Sequence, residues 1–341
     1  MKPKRGEPSL LSATVEGIER AIFGEVTADD VTEWLDQHVH RRLSLGVQTV
    51  LFRAGRLAAV YGLQLTNGLE IVTKVYRAAD VERLTAAVSC QRFLADARYP
   101  CPSPLDAPVE VDGHVVLLEA LLDRGERGDA HHAVTRRAMA QALSEQIRIL
   151  RSVPGLQSSL VKPPAWAAYD HGPWPIPHDP IFDFTATPVG FEWLDHIAML
   201  AAEALGPRRQ PDAIGHSDLV CQNLRFNEDG VCAAYDWDSL LAESEPVLVG
   251  VVAGAYTEGS IAGVGAPTPQ EVVAFLSDYE ANRHAPFSKS DQAAATAAAT
   301  WVLAYNARCG LSAETFGYPA GEGSPLKTLS RYGASYLTLR W

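Results

Sequence analysis

The chain has 341 residues, 47% of them hydrophobic and 21% charged, which is enough apolar material for a large core or two and excludes general disorder. Its 41 acidic against 29 basic residues leave a formal net charge of −12, which argues against a nucleic-acid partner, because binding a phosphate backbone relies on Lys and Arg displacing counterions. A cationic small molecule suits that balance, and so does simple solubility.

The first residues, MKPKRGEPSL, are basic but are followed by no apolar run of signal-peptide length. The longest apolar stretch, PVLVGVVAGAY at 246 to 256, is too short to span a bilayer. Five scattered cysteines (Cys90, Cys101, Cys221, Cys232, Cys309), odd in number and never spaced C-x-x-C, give neither a disulfide framework nor a zinc site. The expectation is a cytoplasmic protein in a reducing compartment, without a membrane partner.

A helical leader is expected over roughly 12 to 40. From Leu43 to Tyr76 the chain becomes strand-like, in runs broken by Gly55 and by the hairpin pair Asn67-Gly68, which places Lys74 on a strand between Val72 and Val75. A helix from about Asp80 to Ala97 ends at the prolines of YPCPSPL, and VDGHVVLLEALL at 111 to 122 reads as a further hairpin whose last strand is almost wholly apolar. Beyond Gly125 the pattern turns helical: 131 to 153, about 191 to 205, then TPQEVVAFLSDYEANR and the alanine-rich SKSDQAAATAAATWVLAYNARCG. The whole predicts an α+β chain with a β-rich N-terminal lobe over 1–120 and a mainly helical lobe over 121–341. Between the helices lies KPPAWAAYDHGPWPIPHDPIFDF at 162 to 184, too rich in proline for a regular element. Its Trp166, Tyr169, Trp174 and Phe182 with Asp170, Asp179 and Asp183 would suit an amine-bearing ligand, or would simply anchor a long loop.

The chemistry concentrates in GHSDLVCQNLRF (215–226) and AAYDWDSL. Leu224 to Phe226 and Val231 to Tyr235 read as the arms of a hairpin turning at Asn227 to Gly230, which would return Asn223 and Asp236 to one another. A carboxamide and a carboxylate there are hard oxygen ligands of the kind Mg²⁺ prefers, and Asp218, facing the same point, could accept a proton from an attacking hydroxyl.

His216-Ser217-Asp218 with Asn223, followed by Asp236-Trp237-Asp238, resembles the catalytic-loop and metal-binding motifs of the aminoglycoside phosphotransferase and choline kinase-like family, which has the protein-kinase fold. The resemblance implies a two-lobed kinase that transfers phosphate from ATP or GTP, with Mg²⁺, to a hydroxyl of a small acceptor. It implies Lys74 on the nucleotide phosphates, Gly55 near the tip of the phosphate-covering loop, backbone groups around Glu119 to Leu121 at the adenine, Asn223 and Asp236 on the metal, and Asp218 as the base. His216 would shape the loop and Asp238 would assist the metal or cap the next segment. An aminoglycoside or related antibiotic is the first acceptor implied; choline-like, sugar-like and nucleoside-like molecules are the others. Ser217 stands where the family usually has glycine. On the helix expected to carry a glutamate for Lys74, Glu82 comes early and the expected region holds Cys90 and Gln91. After the Asp-Trp motif the usual aspartate is missing, with Glu243 and Glu245 nearby. These departures motivate a second reading, the same fold used as a nucleotide-sensing or partner-binding module. Nothing in the sequence specifies the oligomeric state.

Overall fold

Five strands form one antiparallel sheet near the N-terminus: β1 (Val47–Gly55), β2 (Ala59–Leu65), β3 (Glu70–Tyr76), β4 (Val109–Val111) and β5 (His114–Ala120), in the order β1-β2-β3-β5-β4. They belong to a computed structural model that describes residues 15–77, 80–153, 160, 169, 174–179, 181–261 and 265–341. The basic leader 1–14, and Trp166 and Asp170 of the proline-rich stretch, lie outside the described residues. The turns are those the sequence dictates. Gly68 takes a φ of +84° in the β2–β3 turn, and Asp112 and Gly113, both at positive φ, close the β4–β5 hairpin.

Both faces of the sheet are covered, so β3 alternates between two cores. Helices α1 (Val15–Phe23) and α2 (Ala28–Leu43) bring Ile18, Ile22, Val31, Leu35 and Val39 onto Leu63, Ile71, Val75, Val116 and Leu118. Helix α3 (Val81–Asp96) brings Leu84 and Val88 onto the opposite face, against Tyr76, Val115 and Leu117. Each such side chain contributes roughly 1.5–3 kcal/mol by leaving water. The register therefore assigns every β3 and β5 residue to one face or the other: Ile71, Val75, Val116 and Leu118 toward α1 and α2; Val72, Lys74, Tyr76, Val115, Leu117 and Glu119 toward α3. Lys74 is thus on the central strand, paired with Val60 on one side and Leu117 on the other, and is no edge charge.

The chain divides into two compact units, Met1–Arg92 with Pro102–Asp123, and Phe93–Cys101 with Arg124–Trp341. The second contains helices α4 (Ala133–Arg151), α5 (Glu192–Leu205), α6 (Glu245–Ala253), α7 (Pro269–Glu280), α8 (Lys289–Glu314) and α9 (Pro325–Tyr332). It also holds two short ladders, β6 (Ala213–His216) with β9 (Leu240–Glu243) and β7 (Leu224–Asn227) with β8 (Gly230–Ala234). The architecture is therefore α+β and bilobal, β-rich toward the N-terminus and mostly helical after it, consistent with the protein-kinase-like fold. No helix among the described residues is long and apolar enough to cross a membrane.

The apolar run at 246 to 256, noted above only for its length, forms most of α6, every residue of which is buried. The alanines of α8 let that helix approach closely: a Cβ added at Gly250 would stand 2.2 Å from the carbonyl oxygen of Ala295. Glu245 begins α6 and is fixed by three donors: Arg283 at 2.7 and 2.9 Å, Arg151 at 2.6 Å and the Tyr279 hydroxyl at 2.7 Å. Burial disfavours its charge, but these bonds outweigh that cost and hold its pKa at about 2.

Candidate active site

The stretch from His216 to Leu240 is an excursion between two paired strands. His216 pairs with Leu240 and Gly215 with Leu241 where β6 meets β9, so the segments that enter and leave the excursion start side by side. Ser217 tightens that neck, its N–H and its Oγ both donating to the carbonyl of Ser239, at 3.1 and 2.7 Å. The hydroxyl supplies a bond that glycine could not, and Ser217 adopts no positive φ, so the backbone accepts serine without strain. The chain then turns through Asp218 into a short 3-10 turn, Cys221–Asn223, runs out along β7 and returns along β8. The hairpin is tighter than the sequence suggested: Asn227 pairs with Gly230, leaving Glu228 and Asp229 as the turn, and the second arm ends at Ala234.

Within this frame the predicted residues converge. The Asn223 amide donates to both the carbonyl and the Oδ2 of Asp218, at 3.0 and 2.9 Å. The Tyr235 N–H donates to the Asn223 carbonyl at 3.0 Å, which places Asp236 next to the start of the hairpin. His216 is fully buried; its Nδ1 accepts the Asp218 N–H at 3.2 Å, which leaves the ring proton on Nε2 to donate to Tyr235 O at 2.7 Å. One neutral imidazole thereby braces both arms of the excursion. Trp237 packs edge-on against it and donates to Ala234 O at 2.8 Å. Asp236 itself sits at φ 63°, ψ 48°, a left-handed conformation that costs a non-glycine residue about 1 kcal/mol or more and collects at functional sites. Asp238 lies in the 3-10 turn that follows.

The electrostatics are one-sided. Burial pushes the Asp218 carboxyl well above the ordinary carboxylate range, and the negative charges of Glu258, Asp236 and Asp238 push it the same way against the opposing Asn223 hydrogen bond. Glu258 was not foreseen. It lies beyond α6, where the Glu258 and Tyr256 carbonyls accept the N–H groups of Gln222 and Cys221 at 2.9 and 3.0 Å, clamping the loop that carries Asp218. Glu243 and Glu245, the acids nearest the motif in sequence, are tied instead to Arg208 at 2.7 Å and to Arg283 and Arg151.

A family model described as the phosphotransferase enzyme family matches residues 49–241, a span that runs from β1 to β9 and includes Lys74 and the whole 216–240 excursion. The chain belongs to this family. It is a small-molecule phosphotransferase. Among solved structures, the phosphotransferase resembles an amicoumacin kinase, hAmiN, in complex with AMP-PNP, Ca²⁺ and Ami; identity is 13%, with 92% of this chain and 96% of the other covered and a TM-score of 0.62. A macrolide 2'-phosphotransferase type I shares 14% identity over 87% of this chain and 99% of its own, with a TM-score of 0.53. A spectinomycin phosphotransferase in complex with ADP and spectinomycin shares 14% over 92% and 94%, with a TM-score of 0.52. At these identities the likeness is one of fold. Comparison with curated proteins finds no match.

In the N-terminal unit of this phosphotransferase, Gly55 ends β1 at φ +125°, where an added Cβ would stand 1.9 Å from the Ala58 carbonyl oxygen, so the three-residue turn to β2 requires glycine. The stretch predicted to face adenine is largely committed to the sheet. Glu119 lies in β5 opposite Val72, the Ala120 N–H donates to Ser103 O at 2.9 Å, and the Leu121 N–H donates to Glu70 O at 3.0 Å. Leu121 can thus offer a ligand its carbonyl but not its N–H. The proline-rich stretch is pinned to α8. The Tyr305 hydroxyl accepts the His178 N–H at 2.9 Å, Ser312 Oγ accepts the Asp183 N–H at 2.8 Å, and Trp174 stacks on Trp301 while donating to Asp195 at 2.6 Å. Asp179 and Asp183 accept N–H groups two residues ahead, as turn residues do. Tyr169, Trp301 and Tyr305 line a small apolar cavity there with Glu243 at its wall.

Proposed function

We propose that this phosphotransferase moves the γ-phosphoryl group of ATP or GTP, with Mg²⁺, to a hydroxyl of a small cationic molecule, an aminoglycoside or related antibiotic being the first candidate. The observation that carries this reading is the Asp218–Asn223 pair at 2.9 Å, set among Asp236, Asp238 and Glu258. The donor set fits a hard divalent cation. The Asn223 amide nitrogen is spent on Asp218, which leaves its carboxamide oxygen as the ligand atom, and Asp236 offers a carboxylate. Among the described residues no three His, Cys, Asp or Glu side chains gather closely enough to hold a metal by themselves. Mg²⁺ takes one or two protein ligands and completes its shell with water and phosphate oxygens. Bound there, the cation would neutralise charge on the phosphates.

Asp218 is the proposed base. It orients the acceptor O–H and takes its proton as the oxygen bonds to the γ-phosphorus and the bond to the β-phosphate oxygen breaks, releasing the nucleoside diphosphate. Lys74 holds the nucleotide phosphates, Gly55 shapes the turn above them, and residues around Glu119 to Leu121 border the base. His216 holds the loop, and Asp238 adds to the negative field. Most of the catalytic effect is then positioning and charge neutralisation. The acidic cluster favours a cationic acceptor, and the names of the similar structures, an amicoumacin kinase, a macrolide phosphotransferase and a spectinomycin phosphotransferase, direct the first choice to antibiotics.

The test is a thermal-shift titration with MgATP and MgGTP, followed by a nucleotide-consumption screen over aminoglycosides, other antibiotics, choline, sugars and nucleosides. Stabilisation by nucleotide and consumption with one acceptor class is expected. Stabilisation with no acceptor consumed would favour the sensing module.

A further inference from the structure

We infer that the carboxylate partner of Lys74 is Glu119 on β5, and that Gln91 takes the place on α3 where a glutamate would stand in the Lys–Glu arrangement of kinases. Lys74 is only 7% exposed, and an ammonium so buried demands an anion. Helix α3 has none to offer: its acids, Glu82 and Asp96, are exposed, and the polar side chain it buries near the sheet is Gln91. In the N-terminal unit the buried carboxylates among the described residues are Glu19 and Glu119. Glu19 belongs to α1, on the other face of the sheet, and is bound to Arg53 at 3.0 Å.

Glu119 shares the α3 face with Lys74. Val72 pairs with Glu119 and Lys74 with Leu117, so the two are diagonal neighbours across adjacent strands. That relation sets the two residues roughly 7–8 Å apart, with their Cβ atoms somewhat closer, a gap the four-carbon lysine stem and the glutamate side chain close between them. Gln91 fixes the carboxylate. Its amide nitrogen donates to Glu119 Oε2 and to the Pro102 carbonyl, both at 2.9 Å, so one N–H holds the carboxylate while the other anchors the Gln91 side chain.

The pairing fills one of the gaps that motivated the sensing-module reading, the missing glutamate for Lys74. It also changes what the anchor depends on. Where the carboxylate comes from a helix, displacing the helix breaks the pair; here both charged residues belong to neighbouring strands, and α3 contributes a neutral brace. The phosphate-holding lysine is preset by the sheet.

The nucleotide role of Lys74 rests on the proposed function, so the experiment has one arm that does not. Lys74 amine reactivity is followed across pH in the nucleotide-free protein by competitive acylation and mass spectrometry, for the wild type, Glu119→Gln, and Gln91→Glu/Glu119→Gln, which returns the carboxylate to α3. The same proteins are titrated with MgATP and with adenosine. In Glu119→Gln the Lys74 midpoint should fall by about 1–3 pH units, because a buried ammonium has lost its counter-charge. MgATP affinity should fall at least about tenfold and by more than adenosine affinity, since adenosine carries no phosphate for Lys74 to hold, and the exchanged pair should restore most of the Lys74 midpoint and of the MgATP affinity. A folded Glu119→Gln protein with an unchanged Lys74 midpoint overturns the pairing, and if that variant does not fold, failure of the exchanged pair to keep the wild-type midpoint does so. A midpoint that falls in a protein whose wild type binds no MgATP keeps the pairing and overturns the phosphotransfer reading.

Discussion

Glu245 and Asp218 are both carboxylates enclosed by the C-terminal unit, and their surroundings drive them in opposite directions. Glu245 meets two guanidinium groups and a phenol, and these hold it ionised with a pKa of about 2. Asp218 meets one carboxamide and three acids, and burial with that repulsion pushes its pKa well up. The first arrangement holds its carboxylate ionised from within the chain and ties α4, α6 and the end of α7 together. The second sets Asp218 among like charges, an arrangement of the kind that collects at functional sites.

Each variant below tests one side of that contrast. Asp218→Asn should lower phosphoryl transfer the most, by about 10²–10⁴-fold in kcat, with MgATP affinity retained; single-turnover kinetics beside calorimetry measures both. Glu245→Gln should cost about 3 kcal/mol of stability in urea unfolding, because it strips Arg151 and Arg283 of their counter-charge, while the folded fraction keeps its kcat.

The pH dependences should have opposite signs. The folded pKa of Glu245 lies below its ordinary 4.5, so the stability it contributes is complete above pH 4.5 and is lost as pH falls toward 2. The folded pKa of Asp218 lies above its ordinary 3.8, so its contribution is complete below pH 3.8 and is lost as pH rises through the folded value. Metal-free Asp218→Asn should therefore melt above the wild type at neutral pH, and that advantage should vanish below about pH 4. The smallest effect belongs to Ser217→Gly, which gives up one hydrogen bond to Ser239, worth about 0.5–1.5 kcal/mol in unfolding experiments.

Much of this was legible in the residues. Asn67-Gly68 and Asp112-Gly113 carry their own turn geometry, and the hairpin turning at Asn67-Gly68 placed Lys74 on a strand. The spacing of Asp218, Asn223 and Asp236 around a hairpin announced their convergence. What escaped did so for physical reasons. β6 and β9 are four residues each and pair across the whole 216–240 excursion, so no local pattern marks them. Helix α6 is buried on every side and has no amphipathic period to read. HVVLLEALL is apolar on both faces because both faces of β5 are covered, so no alternation shows that the Glu119 side chain meets Gln91 of α3. Glu258 comes near Asp218 by tertiary packing, its carbonyl accepting the Gln222 N–H.

The most direct test is the titration of the Asp218 carboxyl itself, by ¹³C-detected NMR of aspartate-labelled protein with the Asp218→Asn variant for assignment, without divalent cation and then with saturating Mg²⁺ and AMP-PNP. The account predicts a midpoint well above 3.8 in the metal-free protein that drops when Mg²⁺ and nucleotide bind, and no such drop in Asp236→Asn. An ordinary midpoint in the metal-free protein, or one that Mg²⁺ and nucleotide leave unmoved, would contradict it.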